Sequence, residues 1–184
     1  MRRLLLTENI TADGRIEMLD EWFDPSPDGT IQDWLGQVQL RGASSDAILL
    51  GRQTFEDFRG HWPQHTDEPA GAYLDPVQKY VVSSSMTDPQ WRNSTVLSGD
   101  PVDEVQRLKD GDGGDIVLTG SITLAHAVLG AGLVDEIRLL VHPAVQGRGK
   151  ALVDEGGSLP DLELLESKSF RSGVALLRYA VTGG

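Results

Sequence analysis

Two short stretches of the sequence place glycine, hydroxyl and basic side chains directly after an apolar run. In the first, the apolar residues 47–50 are followed by Gly51-Arg52-Gln53-Thr54. In the second, the apolar residues 116–118 are followed by Thr119-Gly120-Ser121. A strand that turns tightly into a helix presents free backbone N–H groups and the positive end of the helix dipole to an anion. Two such turns in one domain therefore predict a ligand with more than one phosphate group.

Arg52 is the side chain in these turns that points most directly to an anionic partner. It falls in the first turn of a predicted helix, where a positive charge opposes the helix dipole. A guanidinium group matches a phosphate through two parallel hydrogen bonds. We therefore expect Arg52 to contact a phosphate. Each turn also has an ordinary structural interpretation, in which glycine supplies the backbone angles and Ser121 caps the helix.

Two carboxyl groups flank a long irregular segment of the sequence. Asp13 lies in an Asp-Gly turn that follows the first predicted strand, over residues 3–7, and Asp33 lies beside the apolar face of a helix predicted over residues 30–41. The functional interpretation of the Asp13 turn is a loop that covers a ligand. The alternatives are a simple turn residue for Asp13 and a solvated helix residue for Asp33. The long irregular segment between them is of a kind that is often functional.

Hydrophobic periodicity predicts strands that alternate with helices over most of the chain. This pattern indicates an α/β fold of three layers, in which a mostly parallel sheet has helices on both faces and a C-terminal antiparallel hairpin at one edge. Ligands of such sheets bind at the carboxyl ends of the strands, so both turns and the serines after residue 82 can share one edge. The predicted strands cover residues 3–7, 47–50, 79–82, 91–97, 116–118, 134–141, 162–170 and 174–181, and the predicted helices cover residues 30–41, 52–60, 101–109 and 122–129.

Composition limits the possible functions. A chain of 184 residues is expected to form one domain, over residues 1–184. Its net charge of -12 argues against nucleic-acid binding, because a phosphate backbone requires a basic surface. No apolar run approaches the length of a membrane span or of a secretory signal, and there are no cysteines. We expect a cytoplasmic protein that acts on a small molecule, with no membrane or nucleic-acid partner.

Two further motifs are set aside. His61 and His65 are four residues apart, but Pro63 between them excludes a helical pair of metal ligands, so no metal is expected. The segment Gly147-Arg148-Gly149-Lys150 lacks the earlier glycine and the following Ser or Thr of a nucleotide P-loop. Neither motif contributes to the predicted site.

The order of the motifs resembles the dihydrofolate reductase-like superfamily, and within it the branch similar to the C-terminal reductase domain of bifunctional riboflavin-biosynthesis enzymes. The resemblance covers nearly the whole chain. The motifs that carry it are Asp13-Gly14, Gly51-Arg52-Gln53-Thr54-Phe55, Ser83-Ser84-Ser85, Thr119-Gly120-Ser121, the segment from Asp135-Glu136 to His142-Pro143, and the closing residues 172–179.

This resemblance implies that NADPH lies across the strand ends. Arg52 and the serines 83–85 would hold the 2′-phosphate and adenosine side, and an arginine there favours NADPH over NADH. Gln53 and Thr54, with residues 120–122, would cradle the pyrophosphate, and the loop of residues 12–16 would close over the nicotinamide. The cofactor-binding residues that it implies are Ala12, Gly14, Ile16, Gly51, Arg52, Gln53, Thr54, Ser83, Ser84, Ser85, Thr119, Gly120, Ser121, Ile122 and Leu124.

The implied reaction, by a homodimer, is hydride transfer from nicotinamide C4 to a C=N or C=O carbon of a small heterocyclic substrate of the ribosylaminopyrimidine or pterin type. By the same resemblance, a carboxyl group near the acceptor atom, Asp13 or Asp33, would relay the proton. The central turn has Gly120-Ser121 where dihydrofolate reductases have two glycines, which disfavours dihydrofolate as the substrate. Two alternatives remain open at this point. One is a non-catalytic NADPH-binding or regulatory module, and the other is a homo-oligomeric protein without a nucleotide.

Overall fold

A computed structural model of the chain describes residues 1–23, 45–153 and 161–182. The helix predicted over residues 30–41, with Asp33, lies outside the described residues. The strands are β1 Leu4–Thr11, β2 Ser45–Gly51, β3 Gln78–Val82, β4 Ser94–Leu97, β5 Asp115–Thr119, β6 Glu136–His142, β7 Asp161–Ser169 and β8 Ala175–Thr182. The helices are α1 Arg52–His61, α2 Pro69–Leu74, α3 Pro101–Asp110 and α4 Ile122–Gly130, and a short 3-10 helix covers Trp62–Gln64.

The eight strands form one sheet in the order β4-β3-β2-β5-β1-β6-β8-β7. The six strands from β4 to β6 pair in parallel. The hairpin of β7 and β8 adds two antiparallel strands at one edge. The predicted fold class is therefore confirmed. The carboxyl ends of the six parallel strands meet along one edge of the sheet, which we call the rim.

Apolar side chains cover both faces of the parallel part of the sheet, as expected for strands buried on two sides. In β2, Ala47 and Leu49 face the main core, where helices α3 and α4 pack. Ile48 and Leu50 face a second cluster, which contains Phe55 of α1. Because α1 and α4 lie on opposite faces, their first turns approach the rim from opposite sides of the sheet.

Three elements differ from the sequence prediction. Strand β1 does not end at Thr7 but continues to Thr11, because polar residues such as Glu8 still pair with the neighbouring strand β6. Strand β4 begins at Ser94 rather than at Trp91, whose ring packs in the core against Phe55 with the ring centroids 5.6 Å apart. Helix α2 was not predicted, since six residues are too few for a periodic pattern. Within the described parts of the chain, no helix is long and apolar enough to cross a membrane.

Candidate active site

The turns that follow β2 and β5 are in contact at the rim, because these two strands are neighbours in the sheet. A Cβ atom added to Gly51 would lie 2.0 Å from Ser121 Oγ. A Cβ atom added to Gly120 would lie 2.7 Å from Thr54 Cγ2. Each glycine thus makes room for a hydroxyl-bearing residue of the other turn. The starts of α1 and α4 are held side by side by this close packing.

The turn before α4 has an unusual backbone. Gly120 and Ser121 both adopt the left-handed region, with φ of 60° and 62°, which a serine rarely does. No side chain caps the start of α1 or of α4, so Ser121 is the N-cap residue without making a capping hydrogen bond. The Ala125 N–H donates to the Ser121 carbonyl, which leaves the earlier amides of α4 without a partner inside the helix. These amides are donors for an anion at the rim.

Leu124 takes part in this arrangement only through its backbone. Its side chain is 5% exposed and packs in the main core. Ile122 also packs against that core and is partly exposed. At the first turn of α4, the atoms of these residues that a ligand can reach as hydrogen-bond donors are therefore their N–H groups.

Arg52 and Gln53 project from the start of α1 into solvent. The Arg52 guanidinium is half exposed and lies 3.4 Å from the Glu56 carboxylate one turn further on. The Gln53 side chain donates to Asp57 at 3.0 Å. Surface pairs of this kind contribute less than about 1 kcal/mol. Both side chains can exchange these partners for a ligand at little cost.

The three serines follow β3, next to β2. Ser83 is buried, and its hydroxyl oxygen accepts hydrogen bonds from the backbone N–H groups of Ser85 (3.3 Å) and Met86 (3.1 Å). Its hydroxyl therefore shapes the turn. Ser84 and Ser85 are exposed beside it. Their contact with the adenosine side of a nucleotide stays a prediction.

Asp13 is bound to a second loop, which covers residues 143–150. Its carboxylate accepts hydrogen bonds from the Thr11 hydroxyl (2.6 Å) and from the N–H groups of Gln146 (3.1 Å) and Gly147 (2.7 Å). These hydrogen bonds, the one from Thr11 foremost, lower the pKa of Asp13 to about 2. A carboxyl group with so low a pKa is a weak proton donor at neutral pH. The role of Asp13 in proton transfer stays a prediction, and this pKa counts against it.

The loop of residues 12–16 packs on the same segment. The Ala12 N–H donates to the Ala144 carbonyl at 2.8 Å, and the Ile16 N–H to the Lys150 carbonyl at 3.0 Å. Gly14 has φ of 83°, so the turn requires a residue that tolerates the left-handed region. The Ile16 side chain is buried in the main core. This loop is consequently held at the carboxyl end of β1, one strand away from the turn after β5.

Sequence reasoning missed one group of residues at the rim. His142, the last residue of β6, has its Nε2 atom 3.0 Å from Asn9 Oδ1 on the neighbouring strand β1. The rings of Trp22 and Phe23 meet the His142 ring edge-on, at centroid distances of 5.1 and 5.6 Å. Burial lowers the pKa of His142, which keeps its ring neutral at physiological pH. Polar residues at the ends of two adjacent strands were the available signal.

The sheet order, the terminal hairpin and the paired turns define an α/β domain with a candidate ligand site at its rim. The model of the RibD C-terminal domain matches residues 2–176. The chain therefore belongs to the RibD C-terminal domain family, a riboflavin-pathway-type reductase family.

Two curated relatives come from Bacillus subtilis (strain 168). The uncharacterized protein YyaP is 31% identical over 190 residues, which cover 99% of this chain and 96% of that protein. The uncharacterized protein YwjB is 28% identical over 164 residues, which cover 89% of this chain and 86% of that protein. The similarity to both proteins extends over nearly their whole length.

Two solved structures share the fold. A putative riboflavin biosynthesis protein from Shewanella sp. PV-4 has a TM-score of 0.71 and 19% identity, and the match covers 98% of this chain and 99% of that chain. A pyrimidine reductase-like protein from Corynebacterium diphtheriae has a TM-score of 0.61 and 19% identity, covering 100% of this chain and 93% of that chain. The architecture is thus retained at low sequence identity.

Proposed function

We propose that this protein is an NADPH-dependent reductase that transfers hydride to a small heterocycle. The observation that carries the proposal is the contact between the two uncapped turns, at Gly51 and Ser121. Membership in the RibD C-terminal domain family and the pyrimidine reductase-like neighbour favour a ribosylaminopyrimidine as the substrate over a pterin. The substrate class is part of the proposal.

The rim fits a dinucleotide phosphate. The free amides at the starts of α1 and α4 suit the pyrophosphate, and Arg52 with the exposed serines 84 and 85 suits the 2′-phosphate and adenosine. Since the strand order is β3-β2-β5-β1, a dinucleotide with its adenosine side at β3 extends its other end toward β1. The loop of residues 12–16 lies there.

Bound NADPH supplies hydride from C4 of its reduced nicotinamide ring. The hydride would add to a C=N or C=O carbon of the substrate, and the residues at the rim would orient the nicotinamide and the substrate and exclude water between them. The ionised carboxylate of Asp13 holds the loop of residues 143–150 at the end of β1. In this proposal, the N or O atom next to the reduced carbon takes up its proton from solvent water rather than from Asp13.

A thermal-shift titration with NADPH and, separately, NADH tests the cofactor. A ligand at about 100 times its dissociation constant stabilises a fold by roughly 2.7 kcal/mol, so NADPH should raise the melting temperature and NADH much less. Absorbance at the reduced nicotinamide band then tests turnover with 5-amino-6-(5-phosphoribosylamino)uracil. The proposal fails if neither nucleotide shifts the melting temperature.

A non-catalytic NADPH-binding module is the second candidate. The low pKa of Asp13 favours it, because this carboxyl group is the proton donor that the family resemblance implies. NADPH oxidation distinguishes the two candidates. The module binds NADPH but does not oxidise it in the presence of 5-amino-6-(5-phosphoribosylamino)uracil.

We also propose that the protein forms a homodimer, as its resemblance to this family implies. Light scattering after gel filtration tests the assembly, with an expected mass of twice the 20.0 kDa of one chain. A mass of one chain at micromolar concentration would exclude the dimer.

A further inference from the structure

The Gln146 side chain uses every hydrogen-bonding position that an amide offers. Its Oε1 atom accepts from the Leu19 N–H (3.2 Å) and from the Trp22 indole N–H (2.8 Å). Its Nε2 atom donates to the carbonyl oxygens of Glu17 (3.0 Å) and Arg148 (2.8 Å). An amide has two acceptor and two donor positions, and all four are used here. Gln146 is therefore held in a single orientation.

The backbone of Gln146 is fixed as well. Its N–H donates to Asp13 Oδ1, and the next N–H, of Gly147, donates to Asp13 Oδ2. Gln146 thus joins three parts of the rim: the end of β1, the loop of residues 17–22 and the segment of residues 143–150. Its side chain and backbone N–H therefore tie these three parts of the rim together.

Trp22 is the aromatic ring that this arrangement fixes at the rim. Gln146 accepts a hydrogen bond from its indole N–H, and the buried ring of His142 contacts it edge-on, with the ring centroids 5.1 Å apart. His142 is itself held by Asn9 on the adjacent strand. Trp22 remains partly exposed, and Phe23 beside it is 37% exposed. An aromatic surface that is both rigid and accessible is suited to stacking on a planar ring.

We infer that Trp22 is the stacking surface for the heterocyclic ring of the substrate, and that Gln146 and His142 are the positioning residues that hold it there. The inference rests on the proposed function and deepens it. The strands β1 and β6 that carry Asn9 and His142 lie on the far side of β5 from β2 and β3. The phosphate turns and the ring-binding surface are therefore separate parts of one rim.

Binding of 5,6-diaminouracil, measured by calorimetry in the presence of NADP⁺, tests this inference without requiring turnover. The substitution Trp22→Leu removes the ring and should weaken the binding of 5,6-diaminouracil about tenfold, which is the contribution of one stacked ring. Trp22→Phe keeps a ring and should retain most of the affinity. In both variants, the dissociation constant of NADPH should stay within about twofold of the wild-type value.

Gln146→Glu tests the positioning role. The carboxylate keeps the shape of the side chain but places acceptors against two carbonyl oxygens, so Trp22 should lose its fixed orientation and 5,6-diaminouracil should bind about fivefold more weakly. The near-ultraviolet circular dichroism of the variant should change as well. Gln64→Glu makes the same substitution at an exposed residue after α1 and should leave both properties unchanged.

Three outcomes would overturn the inference. These are wild-type affinity in Trp22→Leu, an equal loss of NADPH affinity in the Trp22 or Gln146 variants, and no binding of 5,6-diaminouracil to the wild-type protein at millimolar concentration. Failure of the proposed function looks different, because it appears as missing NADPH binding or missing NADPH oxidation. The two results are measured separately on the same protein.

Discussion

Gly51 and Ser121 lie so close together that any side chain at residue 51 would displace Ser121. A Cβ atom there would lie 2.0 Å from the serine hydroxyl oxygen, well inside the distance that two such atoms tolerate. Gly120 is similarly crowded, since a Cβ atom added there would lie 2.7 Å from Thr54 Cγ2. The spacing between the starts of α1 and α4 is therefore set by these contacts.

Gly51→Ala should destabilise the protein and weaken nucleotide binding together. The added methyl group must push Ser121 and the start of α4 away, at a cost of about 1–3 kcal/mol for an overpacked site. Chemical denaturation and NADPH titration measure the two effects. Gly60→Ala is the matched control, because a Cβ atom at Gly60, within α1, meets no atom within 4 Å. That variant should be neutral or stabilised by roughly 0.5–1 kcal/mol. Equal behaviour of the two variants would contradict the close contact.

Arg52→Ala should weaken the binding of NADPH by roughly 1.5–3 kcal/mol, which is the contribution of a hydrogen bond to a charged group. NADH lacks the 2′-phosphate, so its affinity should change little. Isothermal titration with both nucleotides measures the difference. Glu56→Gln is the control, since it removes the carboxylate that Arg52 faces in the free protein. It should retain NADPH affinity or increase it slightly. Equal losses for NADPH and NADH in Arg52→Ala would exclude a 2′-phosphate contact.

Glu8 should make the protein less stable as the pH rises. The carboxyl group is buried on β1, its Oε1 atom has no hydrogen-bond partner, and desolvation raises its pKa from 4.5 to about 8. Between these pH values the unfolded chain has lost a proton that the folded chain keeps, so stability falls from about pH 4.5 to about pH 8 and then levels off.

Glu8→Gln removes this titration. As the pH is raised from 5 to 8.5, the free energy of unfolding of the variant should increase by roughly 1–3 kcal/mol relative to that of the wild type, since each unit of pKa corresponds to about 1.4 kcal/mol. Urea denaturation at both pH values gives the difference, in which the other titrating groups cancel. Glu163→Gln, at an exposed position of β7, should show no such gain. A constant difference between Glu8→Gln and the wild type would mean that Glu8 is ionised when folded.

Asp13→Asn should lower kcat/KM by the same factor at every pH from 5 to 9. With a pKa of about 2 the wild-type carboxyl group is ionised throughout this range, so the substitution removes hydrogen bonds to Gln146 and Gly147 but no titration. The stability that Asp13 provides is present above its ordinary pKa of 3.8 and is lost as the pH falls toward 2. Asp67→Asn, at an exposed carboxyl group, is the control. A ratio of rates that varies tenfold per pH unit near neutrality would restore Asp13 as the proton donor.

The sequence predicted the fold because the strands of the parallel sheet are short apolar runs followed by clear turn signals. Gly51 and Gly120 both follow such runs, and the two strands proved to be neighbours in the sheet. The approach of the turns to one another depends on which strands pair, and strand pairing is a long-range property. Periodicity and turn chemistry could therefore place both turns on one rim but could not show that they touch.

The missed parts of the site depend on contacts between loops. In the sequence, Gln146 is an ordinary polar residue of a glycine-rich segment. The partners of its four side-chain hydrogen bonds lie in residues 17–22 and at Arg148. The end of β1 was placed too early because Glu8 and Asn9 are polar. Both residues nevertheless pair with β6 and continue the strand. Glu8 is also buried, which raises the pKa of its carboxyl group. Asp33 lies outside the described residues, and its role stays a prediction.

The position of β5 in the sheet has a consequence for biosynthesis. Its residues Asp115–Thr119 fill the gap between β1 and β2, which precede it in the chain and do not pair with one another. During translation the ribosome therefore releases both flanking strands well before the strand that joins them. The turns after β2 and β5 cannot meet until Ser121 has left the exit tunnel, so the nascent chain should acquire affinity for the proposed nucleotide late and in one step. Formation of non-local contacts of this kind is slow, and nucleotide present during synthesis should increase the yield of folded protein.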